Sequence, residues 1–100
     1  MSESNELYGR KVRVRAKTEP GMFSLERVVS ISTLDGMCSM ILDASAIADG
    51  EIECTIVNTD SYRAFVRLPG ESIKHGRSAY LRWDQFRLTE RIGDDSIRSA

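Results

Sequence analysis

The sequence predicts an all-β protein, a small six-stranded antiparallel β-barrel with at most one short helix. Three observations lead there. Apolar and polar residues alternate in short runs, the period-2 signature of strands with one buried face. Turn residues separate those runs at intervals of about eight to twelve positions. A chain of 100 residues holds one small core, and closing its sheet into a barrel removes exposed strand edges.

Residues 1–8 are polar and are expected to be disordered, with Leu7 and Tyr8 the first anchors. The barrel is expected to span residues 9–92, and residues 93–100 to form a flexible tail. Gly9 opens the first strand, residues 10–18, where Val12, Val14 and Ala16 alternate with Arg13, Arg15 and Lys17. Glu19, Pro20 and Gly21 break it. Residues 24–32 read as the second strand, because Val28, Val29 and Ile31 are β-branched and suit a pleated surface. Asp35 and Gly36 make a turn. Residues 37–42 are apolar on both sides, which predicts a central, buried third strand.

Residues 43–50 admit two readings. One is a single helical turn with Asp43 as N-cap and Gly50 just past its end; the other is a loop. Eight residues are too few for a stable independent helix. In the fourth strand, residues 51–57, Ile52, Cys54 and Ile56 point inward and Glu51, Glu53 and Thr55 outward. Residues 58–60 then turn the chain into the fifth strand, residues 61–68. There Ala64, Val66 and Leu68 share the core face, while Arg63, Phe65 and Arg67 share the other. Pro69 and Gly70 are expected to end this strand with a turn, and residues 71–76 to form a polar loop. The last strand starts at Arg77 or Ser78, with Ala79, Leu81 and Trp83 on one face and Tyr80 and Arg82 on the other. Residues 84–88 either continue it or turn into a short helix.

Charge is distributed unevenly, although the net charge is only −1. Residues 10–17 carry five cations and no acid, whereas residues 28–62 carry six acids and no Lys or Arg. Arginine then returns at positions 63, 67, 77, 82, 87 and 91. Either the charged strands lie side by side and offset one another, or one edge of the molecule meets an anionic partner. The two cysteines, Cys38 and Cys54, lack metal-binding spacing, so no metal site is expected. The first residues lack the basic and apolar regions of a secretory leader, and no apolar run reaches the roughly 20 residues of a membrane helix. A cytoplasmic protein with reduced thiols, without membrane insertion, is the expectation.

No nucleophile motif or phosphate-binding glycine loop is present. The single histidine, His75, reads as an exposed loop residue, and no catalytic residue and no cofactor are expected. Candidate ligand-binding residues are Arg13, Arg15 and Lys17 on the first strand with Arg63, Phe65 and Arg67 on the fifth. Guanidinium groups bind phosphate bidentately, and Tyr62, Phe65, Tyr80 and Trp83 supply stacking surfaces. The competing reading places Trp83 and Phe86 in the core and leaves the arginines to keep an edge strand soluble.

The layout from Arg10 to Phe86 resembles a PilZ domain, a six-stranded barrel that in its typical members binds cyclic di-GMP. The likeness lies in a basic N-terminal segment, then Arg27 to Ser32 ahead of Gly36, then three further strands ending in Ala79 to Trp83. The family's RxxxR motif corresponds here to Arg13 through Lys17, with lysine at its second basic position. Its [D/N]xSxxG motif corresponds to Ser30 through Gly36, without the leading acid or amide and with one extra residue before the glycine. The resemblance is therefore to a degenerate member, which implies action through protein contacts. Residues 65–88 are also similar to the end of a TOBE module of transport ATPases. The expected function is that of a non-enzymatic binding or regulatory module with a protein partner, self-association included. The alternative is binding of a nucleotide such as cyclic di-GMP, or of single-stranded nucleic acid, on the Arg/aromatic face.

Overall fold

The computed structural model describes residues 7–74 and 76–89. The expected features of residues 1–6, His75 and the tail 93–100 lie outside that range. Among the described residues, nine strands form one antiparallel sheet: β1 (Lys11–Arg15), β2 (Lys17–Pro20), β3 (Glu26–Thr33), β4 (Gly36–Asp43), β5 (Ile47–Ala48), β6 (Glu51–Thr59), β7 (Arg63–Ser72), β8 (Gly76–Arg82) and β9 (Phe86–Leu88). Their order is β2-β3-β4-β7-β6-β1-β9, with β5 paired to β6 and β8 to β7. The sheet curls into a half-barrel of seven strands, the all-β antiparallel architecture that the alternating runs predict.

The inner face is apolar. Val12 and Val14 of β1 meet Cys54 and Ile52 of β6, and Ile56 meets Val66 of β7. Val29 and Ile31 of β3 pair with Met40 and Cys38 of β4, and Ala64 pairs with Leu81 of β8. All of these side chains are essentially withdrawn from solvent. Each large aliphatic among them contributes about 1.5–3 kcal/mol by burial. Among the described residues, no helix is long and apolar enough to cross a membrane.

Four local features differ from the sequence expectation. The first expected strand is divided at Ala16. Up to Arg15 it pairs with β6; the Ala16 N–H then donates to Gly50 O at 2.9 Å, and from Lys17 the chain pairs with β3 as far as Pro20, so Glu19 and Pro20 continue a strand that they were expected to break. Second, Pro69 and Gly70 do not end β7, which runs on to Ser72 through an irregularity in its pairing with β8. A Cβ on Gly70 would lie 2.7 Å from Leu42 Cδ2, so the glycine lets β7 bend over β4, where Ser72 pairs with Met40. The hairpin turn into β8 comes later, between Ser72 and Gly76.

Third, the apolar third strand is not buried on both faces. Cys38, Met40 and Leu42 of β4 face inward, while Met37 and Ile41 are more than half exposed. Fourth, Trp83 leaves the face of Ala79 and Leu81. It opens a 3-10 helix, Trp83–Gln85, and the chain then adds β9 to the outer edge of β1. The Thr89 N–H donates to Lys11 O at 2.8 Å, so the end of β9 sits beside the start of β1.

Residues 43–50 combine both readings. Asp43 caps a 3-10 helix, Ala44–Ala46, its carboxylate accepting from the Ser45 N–H at 2.9 Å. Asp49 and Gly50, at φ of 55° and 74°, then make the two-residue turn between β5 and β6. Positive φ at both positions is what the hairpin twist demands, and glycine adopts it without steric cost.

Candidate functional site

Strand alternation carries Arg63, Phe65 and Arg67 to the outer face of β7 while Ala64, Val66 and Leu68 fill the core. Pairing with β8 then sets Arg63 opposite Arg82, Phe65 opposite Tyr80 and Arg67 opposite Ser78. The Phe65 and Tyr80 rings are tilted by 42° with centroids 4.6 Å apart. The Arg63 guanidinium carbon lies 4.1 Å from the Tyr80 centroid. A tilted aromatic pair is worth about 0.5–1.5 kcal/mol beyond burial, and an exposed cation–π contact about 0.5–1 kcal/mol.

Asp60, in the turn between β6 and β7, fixes this stack. Its Oδ1 accepts from the Tyr62 and Arg63 amides at 2.8 and 2.9 Å, and its Oδ2 takes Arg63 Nε at 3.2 Å. Its carbonyl accepts from Trp83 Nε1 at 3.2 Å. The Tyr62 amide above all, and then Arg63, hold the Asp60 carboxyl below the ordinary value. Two like charges face each other where Arg63 meets Arg82, and Arg82 turns to Asp84 at 3.1 Å. A shallow depression of about 150 Å³ lies over the stack, with Asn58 and Asp60 on its rim. Tyr62 is largely exposed and Trp83 stacks on Phe86 at 5.6 Å. Phe86 packs against the core from its edge, while Trp83 keeps 37% of its surface exposed.

The basic residues of the first expected strand are not one continuous row. Arg13 and Arg15 lie on the outer face of β1, but Lys17 stands on β2 opposite Ser30, on the other side of the break at Ala16. Arg13 Nε approaches Glu51 at 3.5 Å and its Nη2 donates to Ala48 O at 3.1 Å. Glu51 also takes Arg87 Nη2 at 2.8 Å, and that bond chiefly lowers the Glu51 pKa. Arg15 and Glu51 help line an open hollow of about 220 Å³.

Arg67 finds its basic neighbour elsewhere. Lys11, Thr55, Arg67 and Ser78 lie opposite one another across β1, β6, β7 and β8. Lys11 belongs to the same alternating set as Arg13 and Arg15, so its facing was readable; its alignment with Arg67 depends on register. Asp60 gave no sequence signal beyond a turn, and Tyr80 none beyond a stacking surface.

Cys38 and Cys54 are both buried free thiols, and burial pushes the Cys54 thiol up to about 12. Among the described residues, no three His, Cys, Asp or Glu side chains are grouped to hold a metal ion. No protein-family model, curated protein or solved structure matches the chain.

Proposed function

We propose that this chain is a non-enzymatic binding module that engages a protein partner through the outer face of β7 and β8. The observation that carries the reading is the Phe65–Tyr80–Arg63 stack pinned by Asp60. Aromatic residues and arginine are the side chains that dominate binding energy at protein interfaces, and rigid anchors lose little entropy when a partner docks. The depression over the stack is shallow and polar-rimmed, which suits an apolar anchor on a loop or strand of the partner better than an enclosed small molecule. Glu51, Asp60 and Asp84 sit among the arginines of the outer face and would repel a nucleic-acid backbone. A regulatory role in the cytoplasm, exerted by holding a partner rather than by chemistry, belongs to the same proposal. It agrees with the degenerate PilZ-like layout of the sequence.

The test compares the wild-type chain with Arg63→Ala/Tyr80→Ser and with Glu19→Ala on exposed β2. Each is used to capture partners from extract of the native host, after amide spectra establish that all three are folded. The expected result is one partner retained by the wild type and by Glu19→Ala, and lost or weakened at least about tenfold by the double variant. Equal retention by all three removes the β7–β8 face from the reading. Sedimentation of the same proteins shows whether the partner is a second copy of this chain.

A further inference from the structure

The outer face carries a second arrangement, independent of the aromatic stack. Lys11, Thr55 and Arg67 occupy directly opposed positions on three neighbouring strands. Strands lie about 4.8 Å apart, so the two cationic residues start about 10 Å apart with a hydroxyl between them. Lys11 already leans over that gap, its Nζ donating to Thr55 Oγ1 at 3.0 Å. A hollow of about 350 Å³ lies there, as open to solvent as the depression over the stack but wider. Tyr8, 67% exposed, stands at its wall. The turn that carries Tyr8 is tied down, because the Gly9 N–H donates to Ile56 O at 2.8 Å.

Charge sets this hollow apart from the rest of the face. Arg13 and Arg87 share Glu51, which also lies opposite Arg15; Arg63 has Asp60 and Arg82 has Asp84. Among the described residues, neither Lys11 nor Arg67 has a carboxylate at ion-pairing distance, and none lines the hollow. Glu53, the next outward acid along β6, is opposite Arg13 instead. Two like charges flanking one hydroxyl repel each other, and an anion seated between them turns that repulsion into attraction.

The geometry points to a binding site for a phosphate monoester borne on a planar organic group. Its dianion presents three acceptor oxygens. Arg67 offers two parallel N–H donors, Lys11 an ammonium and Thr55 an O–H. The Tyr8 ring offers a surface for the planar group. A carboxylate brings one charge and two oxygens to the same donors and leaves them less fully used.

The probe is phenyl phosphate, titrated into the full chain and followed by amide NMR. Expected are saturable shifts at Tyr8, Gly9, Thr55 and Arg67, with affinity falling as salt rises. Arg67→Gln and Lys11→Met are each expected to weaken binding at least about tenfold; both side chains are exposed, and amide spectra check that the fold is kept. Phenol is expected not to bind. Absence of saturation at about 10 mM phenyl phosphate, binding indifferent to both substitutions, or equal binding of phenol overturns the site. Equal affinity for inorganic phosphate, unchanged by Tyr8→Ala, overturns the part assigned to Tyr8. A nucleoside 5′-monophosphate and phosphotyrosine, run in parallel, identify which source of the ester the site prefers. Loss of the protein partner leaves this result untouched, since Arg63→Ala/Tyr80→Ser does not enter it.

Discussion

Asp60 does more for the outer face than the arginine it touches. One carboxylate closes the β6–β7 turn through two amides, braces Arg63 over Tyr80, and shares its residue with the Trp83 indole. Glu51 does the same for Arg13 and Arg87, and Asp43 caps a 3-10 helix through Ser45. In the fold all three carboxyls titrate below their ordinary values: Asp43 through the Ser45 hydroxyl first, Glu51 through Arg87, Asp60 through the Tyr62 amide. A depressed folded pKa favours the ionised fold, so this stabilisation is present above the ordinary values, 3.8 for Asp and 4.5 for Glu, and is lost as pH falls through the lower folded values. Denaturant melts are therefore expected to give a flat stability from about pH 8 to 5.5 and a decline below about 4.5. Asp60→Asn/Glu51→Gln should be less stable at neutral pH and show a shallower acid limb. An unchanged limb would place the acid sensitivity elsewhere. The arginines were visible in the sequence; their carboxylate partners were not. Arg13 meets Glu51 because β1 and β6, distant in sequence, pair in a register that sets Arg15 opposite Glu51 and Arg13 one step along.

Elements were easier to place by facing than by partner. The alternation of Val12 and Val14 with Arg13, or of Ala64 and Val66 with Phe65, needs only the strand's own sequence, and both sets face as expected. What alternation leaves open is where a strand changes neighbours. The run through Ala16 keeps its period while the chain passes from β6 to β3, and that change separates Lys17 from Arg13 and Arg15. Pro69 and Gly70 read as a turn because turn dipeptides are local signals. Their role in the fold is set by Leu42, distant in sequence, over which the strand bends. Met37 and Ile41 read as buried because an apolar residue carries no sign of which face it takes. These pairings order the amide protection expected in hydrogen exchange. The middle of β6, held between β1 and β7, should be slowest. The four residues of β2 and the three of β9 pair along one edge only and should exchange first. Protection in β2 equal to that in β6 would contradict the open edge.

At the scale of the whole molecule, the charge blocks of the sequence sort onto different parts of the half-barrel. The basic β1 lies beside Glu51 and Glu53 of β6, so much of the opposed charge is satisfied internally. The stretch without Lys or Arg builds most of β3 and β4, whose outer face presents Val28, Ser30, Ser39 and Ile41. The pinned aromatic stack and the gap between Lys11 and Arg67 lie instead on the outer face of β1, β6, β7 and β8. The strand pairing at the far edge has a mechanical consequence. Because β9 lies antiparallel to β1 with Thr89 beside Lys11, tension applied at the two ends of the described chain meets the ladder at one rung. Its hydrogen bonds load one after another, like a zipper. Handles at Gly9 and Asp49 would instead load the β1–β6 ladder from opposite ends, all rungs together. Single-molecule stretching is expected to rupture the first geometry at clearly lower force than the second. In a chain under load, this domain would let go from its last strand inward, and the core of β6 and β7 would be the last to feel the pull.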